Sequence, residues 1–185
     1  MKKIALAALL AASFGGASAQ VYVGGALGLT HVDCPANVAN FASVTNCDAA
    51  DMGVKASVGY RLNRVAALEA SYIDFGKSKF NVPVLGFVGG SQEVSGFVLN
   101  AALRHDLTRE LTGVGRLGFA TMDTKQRVGG SSRTESSTKV YFGLGLEYAL
   151  SRNLKAVAAA DFTSAEYSGE SHAVRMFSAG AQYDF

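Results

Sequence analysis

Two cysteines, Cys34 and Cys47, flank the segment "PANVANFASVTN". Joined to each other they would close a loop of roughly 14 residues, worth about 3 kcal/mol in the chain-entropy model. His31 and Asp33 stand nearby, but two cysteines at this spacing match no zinc pattern, so the pair reads as a disulfide that stiffens a loop. A second group is electrostatic: Lys55, Arg61, Glu69, Arg104, Arg116, Glu147, Lys155 and Asp161. These carry both signs, and each interrupts a segment that is otherwise apolar and small. His31, His105 and His172 supply base chemistry, and "SGESHAV" sets Ser168 and Ser171 beside His172. Arg175, Lys77 and Lys79 are cations suited to phosphate groups.

The elements that must carry these residues are strands. Apolar residues recur at every second position along most of the chain, the period of a β-strand with two unlike faces. In "MGVKASVGYRL", Val54, Ala56, Val58, Tyr60 and Leu62 share one parity, with Lys55, Ser57, Gly59 and Arg61 on the other. "KVYFGLGLEYAL" sets Val140, Phe142, Leu144, Leu146 and Tyr148 against Tyr141, Gly143, Gly145 and Glu147. Runs of the same kind begin at "VYVGGALGLT", "ALEASYIDFG", "SGFVLNAALRH", "LTGVGRLGFATM", "LKAVAAADF" and "MFSAGAQYDF", which makes eight strands. The Ala-rich stretch 149–165 also fits a helix, and "VAALEASYIDF" has some helical spacing. Both are assigned as strands because Asp161 and Glu69 fall on the polar parity.

The connectors alternate in length. Short links at 63–65, 105–110 and 151–153 would lie at one end of an up-and-down sheet. Long polar segments at 31–51, 76–91 and 123–137, with a shorter one at 164–171, would lie at the other. Facing residues of an antiparallel pair share a face. Pairing Leu62 with Ala66 therefore keeps the apolar sets together, sets Glu69 opposite Gly59 and brings it close to Arg61.

Residues 1–19 stand apart. Lys2 and Lys3, an apolar run to Phe14 and the small-residue pattern Ala17-Ser18-Ala19 have the layout of a secretory signal peptide, cleaved before Gln20. The apolar run is too short for a bilayer of ~30 Å. The expected mature domain is residues 20–185. Two of the 17 basic residues lie in the leader, so basic and acidic residues balance at 15 each in the rest. No basic run points to nucleic acid, and no pattern asks for a cofactor. An exported chain with two cysteines suits an oxidising compartment.

Alternation alone fits a soluble barrel and a membrane barrel equally. Side-chain size separates them, because the large residues lie on the apolar parity, while Gly, Ala, Ser and paired charges lie on the other. An eight-stranded barrel has an interior only just wide enough for side chains to fill, which suits the small and charged set. The rings also fall in two belts: Tyr60, Tyr148, Tyr183 and Phe185 near the short links, and Tyr72, Phe97, Phe119, Phe142 and Phe162 near the long ones. Such belts mark the two interfaces of a membrane barrel. The expected fold is an all-β, eight-stranded antiparallel up-and-down transmembrane β-barrel.

"LEASYIDFG" (68–76), "GLGLEYALSRNL" (143–154) and the terminal Phe185 resemble the OmpA-like transmembrane barrels, whose relatives include the OmpX/Ail group and opacity-type porins. The resemblance spans residues 20–185. It implies the outer membrane of a Gram-negative bacterium with both termini in the periplasm. It also implies a last strand read by the barrel-assembly machinery through Phe177, Tyr183 and Phe185. Nothing follows Phe185, so the peptidoglycan-binding domain of full-length OmpA proteins, and with it wall tethering, is not expected.

Charges in a narrow interior persist only if paired, since an unpaired one costs several kcal/mol. The eight lumen charges therefore read as a structural network. Arg175, ten residues above Phe185, would rise about 23 Å along a strand tilted ~45° and reach the outer interface. There it could meet lipopolysaccharide phosphates with Lys77 or Lys79, or simply snorkel to water. The functional expectation is non-enzymatic: envelope integrity, or presentation of outer loops to a host-surface ligand. A narrow ion channel is the second reading. A lipid A-modifying enzyme using the Ser168, Ser171 and His172 region is the third, although no deacylase motif surrounds those residues.

Overall fold

The computed structural model describes residues 21–32, 37–38, 42–43, 45–48, 50–82, 88–128, 131–167 and 170–185. In chain order the strands are β1 (Val21–Val32), β2 (Asn37–Val38), β3 (Ala42–Ser43), β4 (Thr45–Asp48), β5 (Ala50–Arg61) and β6 (Ala66–Val82). They continue with β7 (Val88–Asp106), β8 (Leu111–Val128), β9 (Ser131–Ala149), β10 (Leu154–Tyr167) and β11 (Glu170–Asp184). Among the described residues, β1 and β5 to β11 are the eight staves of a closed antiparallel barrel, each paired with its neighbours in the chain. The short β2, β3 and β4 belong to the connection between the first two staves, and β4 adds onto the outer part of β6.

Closure is made by the two ends of the barrel chain. β11 pairs with β1 from Tyr22 opposite Asp184 to Val32 opposite Val174. Phe185 then donates its amide to the Val21 carbonyl at 3.0 Å. Among the described residues each stave is thus paired with a stave on either side, the condition for β-structure to survive in hydrocarbon.

The register of the first short link follows the apolar sets: Gly59 faces Glu69, Tyr60 faces Leu68 and Arg61 faces Ala67. All three short turns use one device. Asn63 Oδ1 accepts the amides of Val65 and Ala66 at 2.8 and 2.7 Å. Thr108 Oγ1 accepts those of Glu110 and Leu111 at 3.2 and 3.0 Å, and Ser151 Oγ those of Asn153 and Leu154 at 3.4 and 3.1 Å. A short polar side chain can cap its own turn in this way. The sequence repeats accordingly as Leu62-Asn63-Arg64, Leu107-Thr108-Arg109 and Leu150-Ser151-Arg152.

The opposite end differs from the sequence expectation. Segments 76–91 and 123–137, expected as long loops, are largely strand: β6 pairs with β7 as far as Val82 and Val88, and β8 with β9 as far as Val128 and Ser131. The apolar alternation is absent from these segments, as expected of strands beyond the hydrocarbon band, where no oily solvent selects one face. Val and Thr still favour the ladder, and polar cross-strand pairs support it. Thr121 and Thr138 share a hydroxyl hydrogen bond at 3.1 Å, and Lys77 meets Glu93 at 2.9 Å. At the base of one hairpin, β6 carries a bulge between Asp74 and Lys77. Gly76 sits there at φ 81°, a conformation that favours glycine. The Asp74 and Asp51 carboxylates accept the Gly76 and Lys77 amides at 2.9 and 2.6 Å.

Candidate functional site

The distribution of side chains is that of a soluble protein turned outward. Phe97, Leu29 and Leu99 are 69%, 68% and 67% exposed, whereas Glu69 and Glu147 are 2% and 1% exposed. A continuous apolar exterior around a charged interior is stable only where hydrocarbon is the outer solvent. The outward rings stand as two belts. Tyr183 and Phe185 meet edge to face at 5.1 Å near the short turns. Tyr72 and Phe97 lie 5.1 Å apart higher up, and Phe162 lies 6.3 Å from both Phe142 and Phe177.

Inside, the lower lumen holds a chain of ions with alternating sign. Arg61 Nη2 donates to both Asp184 oxygens at 2.7 Å. Lys155 Nζ lies 3.4 Å from Asp184 and 3.1 Å from Glu147. Arg104 Nη2 links Glu147, at 3.1 Å, to Glu69, at 3.2 Å. Arg116 Nε ends the series on Glu69 at 2.6 Å. A second group lies beside it, where Lys55 Nζ donates to the two Asp161 oxygens at 2.8 and 3.0 Å. Tyr141 donates its hydroxyl to the same carboxylate. All eight charges expected in the lumen from parity are thus at the interior, with one expected proximity, that of Arg61 to Glu69, replaced. Arg61 does not serve Glu69; it binds Asp184, because β11 closes next to β1 at that height. Glu69 is served instead by Arg104 of the adjacent stave β7 and Arg116 of the next one, β8.

Several members of this network carried no charge pattern that marked them. Tyr22 gives its hydroxyl to Glu69 at 2.5 Å, and Asn100 Nδ2 donates to the same carboxylate at 3.2 Å. The Tyr22 ring lies between two guanidinium groups, with the Arg104 and Arg61 carbons 4.7 and 5.0 Å from its centroid. Asp184 accepts from Gln182 Nε2 at 2.9 Å. Parity alone was the usable signal for these residues, since all share the inward set of their strands.

The upper lumen is apolar, which the small-or-charged reading of the inward parity did not foresee. Ile73, Phe75, Val94, Val98, Ala120, Met122, Val174 and Met176 form a buried cluster there with Tyr141. In "SYIDFG" and "FVLNA" both parities are apolar, so the contrast that marks an inner face is lost. A dense plug of this kind above a network of ion pairs leaves the bore closed.

The remaining candidates disperse. Cys34 lies outside the described residues; Cys47 is on β4, but its side chain is outside them too. Lys77 pairs with Glu93 on the β6–β7 hairpin, and the Lys79 side chain lies outside the described set. Arg175 is exposed on β11, opposite His31 of β1 and Phe162 of β10. It is thus three staves away from Lys77. Ser168 and the side chains of Ser171 and His172 are outside the described residues. His105 sits at the short-turn end, far along the barrel axis from His31. Among the described residues no three His, Cys, Asp or Glu side chains gather as a metal site.

Residues 4–185 match the family model described as the outer membrane protein beta-barrel domain. No curated protein sequence matches the chain at a significant level. Among solved structures, Neisserial surface protein A is 15% identical, with 89% of this chain and 97% of that one covered and a TM-score of 0.64. The N-terminal barrel domain of OprF from Pseudomonas aeruginosa is 17% identical over 91% and 100% of the two chains, with a TM-score of 0.58. Ail, the attachment invasion locus protein of Yersinia pestis, is 15% identical over 90% and 100%, with a TM-score of 0.51. At these identities the likeness is one of fold. The family match over nearly the whole chain, the closed eight-stave barrel and the apolar exterior agree: the chain belongs to the outer-membrane β-barrel proteins of Gram-negative bacteria.

Proposed function

We propose that this barrel acts through its outward surfaces, as a structural element of the outer membrane whose extracellular hairpins engage a host surface or the lipopolysaccharide layer. One observation carries this reading. The bore is occupied along its length, by alternating ion pairs below and the cluster of Met122, Met176, Ile73 and Val98 above, so the chemistry available to a partner lies outside. The barrel is non-enzymatic on this reading. Ail, a barrel of the same fold, has been solved in complex with the heparin analogue sucrose octasulfate. This fold can therefore offer a ligand site.

The accompanying assignments form part of the proposal. Residues 1–19 act as a cleaved signal peptide, and both termini of the mature chain face the periplasm. The first outer connection, closed by Cys34 and Cys47, is the leading candidate contact. Arg175 and the hairpin lysines Lys77 and Lys79 meet lipid phosphates. Phe177, Tyr183 and Phe185 serve as the outward row recognised by the barrel-assembly machinery.

Deletion of the gene, followed by paired assays of detergent sensitivity and host-cell adhesion, separates the two roles. Increased detergent sensitivity supports the envelope role and reduced adhesion supports the binding role. A deletion that changes neither sinks the proposal. Steady conductance in planar bilayers that disappears in lumen variants would favour a channel instead.

A further inference from the structure

Charged inward side chains come from seven of the eight staves, but the inward set also includes Gly24 and Ala26 of β1, Gly145 of β9, Ala159 of β10 and Gly180 of β11, small residues that leave room around Arg116 of β8. Beside Arg116 lies a cavity of about 40 Å³, bordered by Gly24, Ala26, Ala159, Ser178, Lys55 and Arg116. A water needs roughly 10–15 Å³, so this space suits a monatomic ion together with a water.

Ser57 and Gln182 also border this space, but their Oγ and Nε2 already donate to the Gly24 carbonyl and to Asp184. Arg116 is 9% exposed, and its Nη1 has no protein partner; the Ser178 hydroxyl, 7% exposed, has none either. A methyl group added at Gly145 would stand 2.8 Å or less from that same Arg116 nitrogen, at 2.7 Å, so the guanidinium reaches right to this glycine. No Asp or Glu borders the cavity. The two nearest carboxylates are committed elsewhere: Asp161 to Lys55 and Tyr141, and Glu69 to Tyr22, Asn100, Arg104 and Arg116. The ion series runs Arg61, Asp184, Lys155, Glu147, Arg104, Glu69, Arg116, so it begins and ends on a cation. Arg61 ends it near bulk water, whereas Arg116 ends it in the interior, where a leftover charged donor is costly.

We infer that the cavity binds a small inorganic anion of the halide class. The anion accepts from Arg116 Nη1 and from the Ser178 hydroxyl and continues the alternation of sign by one step. It serves as a structural counter-ion enclosed when the barrel closes.

The test uses the full barrel refolded into detergent micelles with sodium chloride, bromide or gluconate at equal ionic strength, gluconate being too large for the space. The urea midpoint of unfolding is expected to be higher in chloride and bromide than in gluconate. Crystals grown in bromide should show an anomalous peak in the cavity, within hydrogen-bonding reach of Arg116. Ser178→Ala should shrink the halide effect. Ala26→Leu, which fills the space with an apolar group, should abolish both the effect and the peak while the barrel still folds. Identical midpoints in the three salts, or ordered water in place of a bromide peak, would overturn the inference and leave a hydrated pocket.

Discussion

Tyr22 of β1 reaches over Gly59 of β5 to hydrogen-bond Glu69 of β6 at 2.5 Å, joining two staves that are not neighbours in the wall. The intervening position must lack a side chain, since a Cβ on Gly59 would overlap the Tyr22 ring. Replacing Gly59 by Val is therefore expected to destabilise the barrel by about 1–3 kcal/mol, the usual range for overpacking a filled interior. Urea unfolding in detergent, followed by the gel shift between folded and unfolded forms, measures it. A variant as stable as the parent would mean that the ring moves aside at no cost.

Arg104 is the shared donor of Glu69 and Glu147. Arg104→Met removes it and leaves two buried carboxylates short of a partner, so a loss of about 3–5 kcal/mol is expected. Glu147→Gln keeps the shape and one acceptor, and its loss should be smaller. Thermal unfolding in detergent ranks the two, and surface functions assayed on cells should persist for Glu147→Gln.

The apolar plug makes a separate contribution. Met122→Ala and Met176→Ala each remove a fully buried side chain, for an expected loss of about 2–5 kcal/mol. Neither should raise conductance in planar bilayers, because the ion pairs beneath still fill the bore. Conductance in either variant would show that the plug alone seals the lumen.

Cys34 and Cys47 are expected to be joined. Reduction should add the mass of two hydrogens to the untreated mature protein, and alkylation should label it only after reduction. The outer loop should become more protease-sensitive while the barrel stays folded, since a loop of this size contributes about 3 kcal/mol to the loop itself in the chain-entropy model. Free thiols in freshly purified protein would refute the pairing.

Phe185 and Tyr183 pack together on the outward face at the closing seam. Alanine at both positions should lower the amount of folded barrel in the outer membrane several-fold, while the purified protein refolds in detergent with a smaller deficit. Equal defects in the two settings would assign the rings to stability and not to recognition during assembly.

The sequence by itself determined the barrel's inside and outside. Period-two alternation, with large apolar residues on one parity and small or charged ones on the other, fixed which face of each stave meets lipid. It also fixed the Gly59–Glu69 register and the inward placement of the eight charges. These are local properties, because a strand's faces follow from its own dihedral geometry. The partners of the charges were decided only by the closed tertiary structure. Arg61 binds Asp184, and not Glu69, because the last stave returns beside the first, and that neighbourhood appears only after closure. The upper plug was hidden for a related reason: Ile73 and Phe75 lie on the parity that elsewhere carries small or charged residues, and only the closed wall shows that this inner side has room for large apolar side chains. The outer hairpins were hidden because strands above the membrane have no oily side to alternate against; backbone pairing continues there without leaving a hydrophobic period in the sequence.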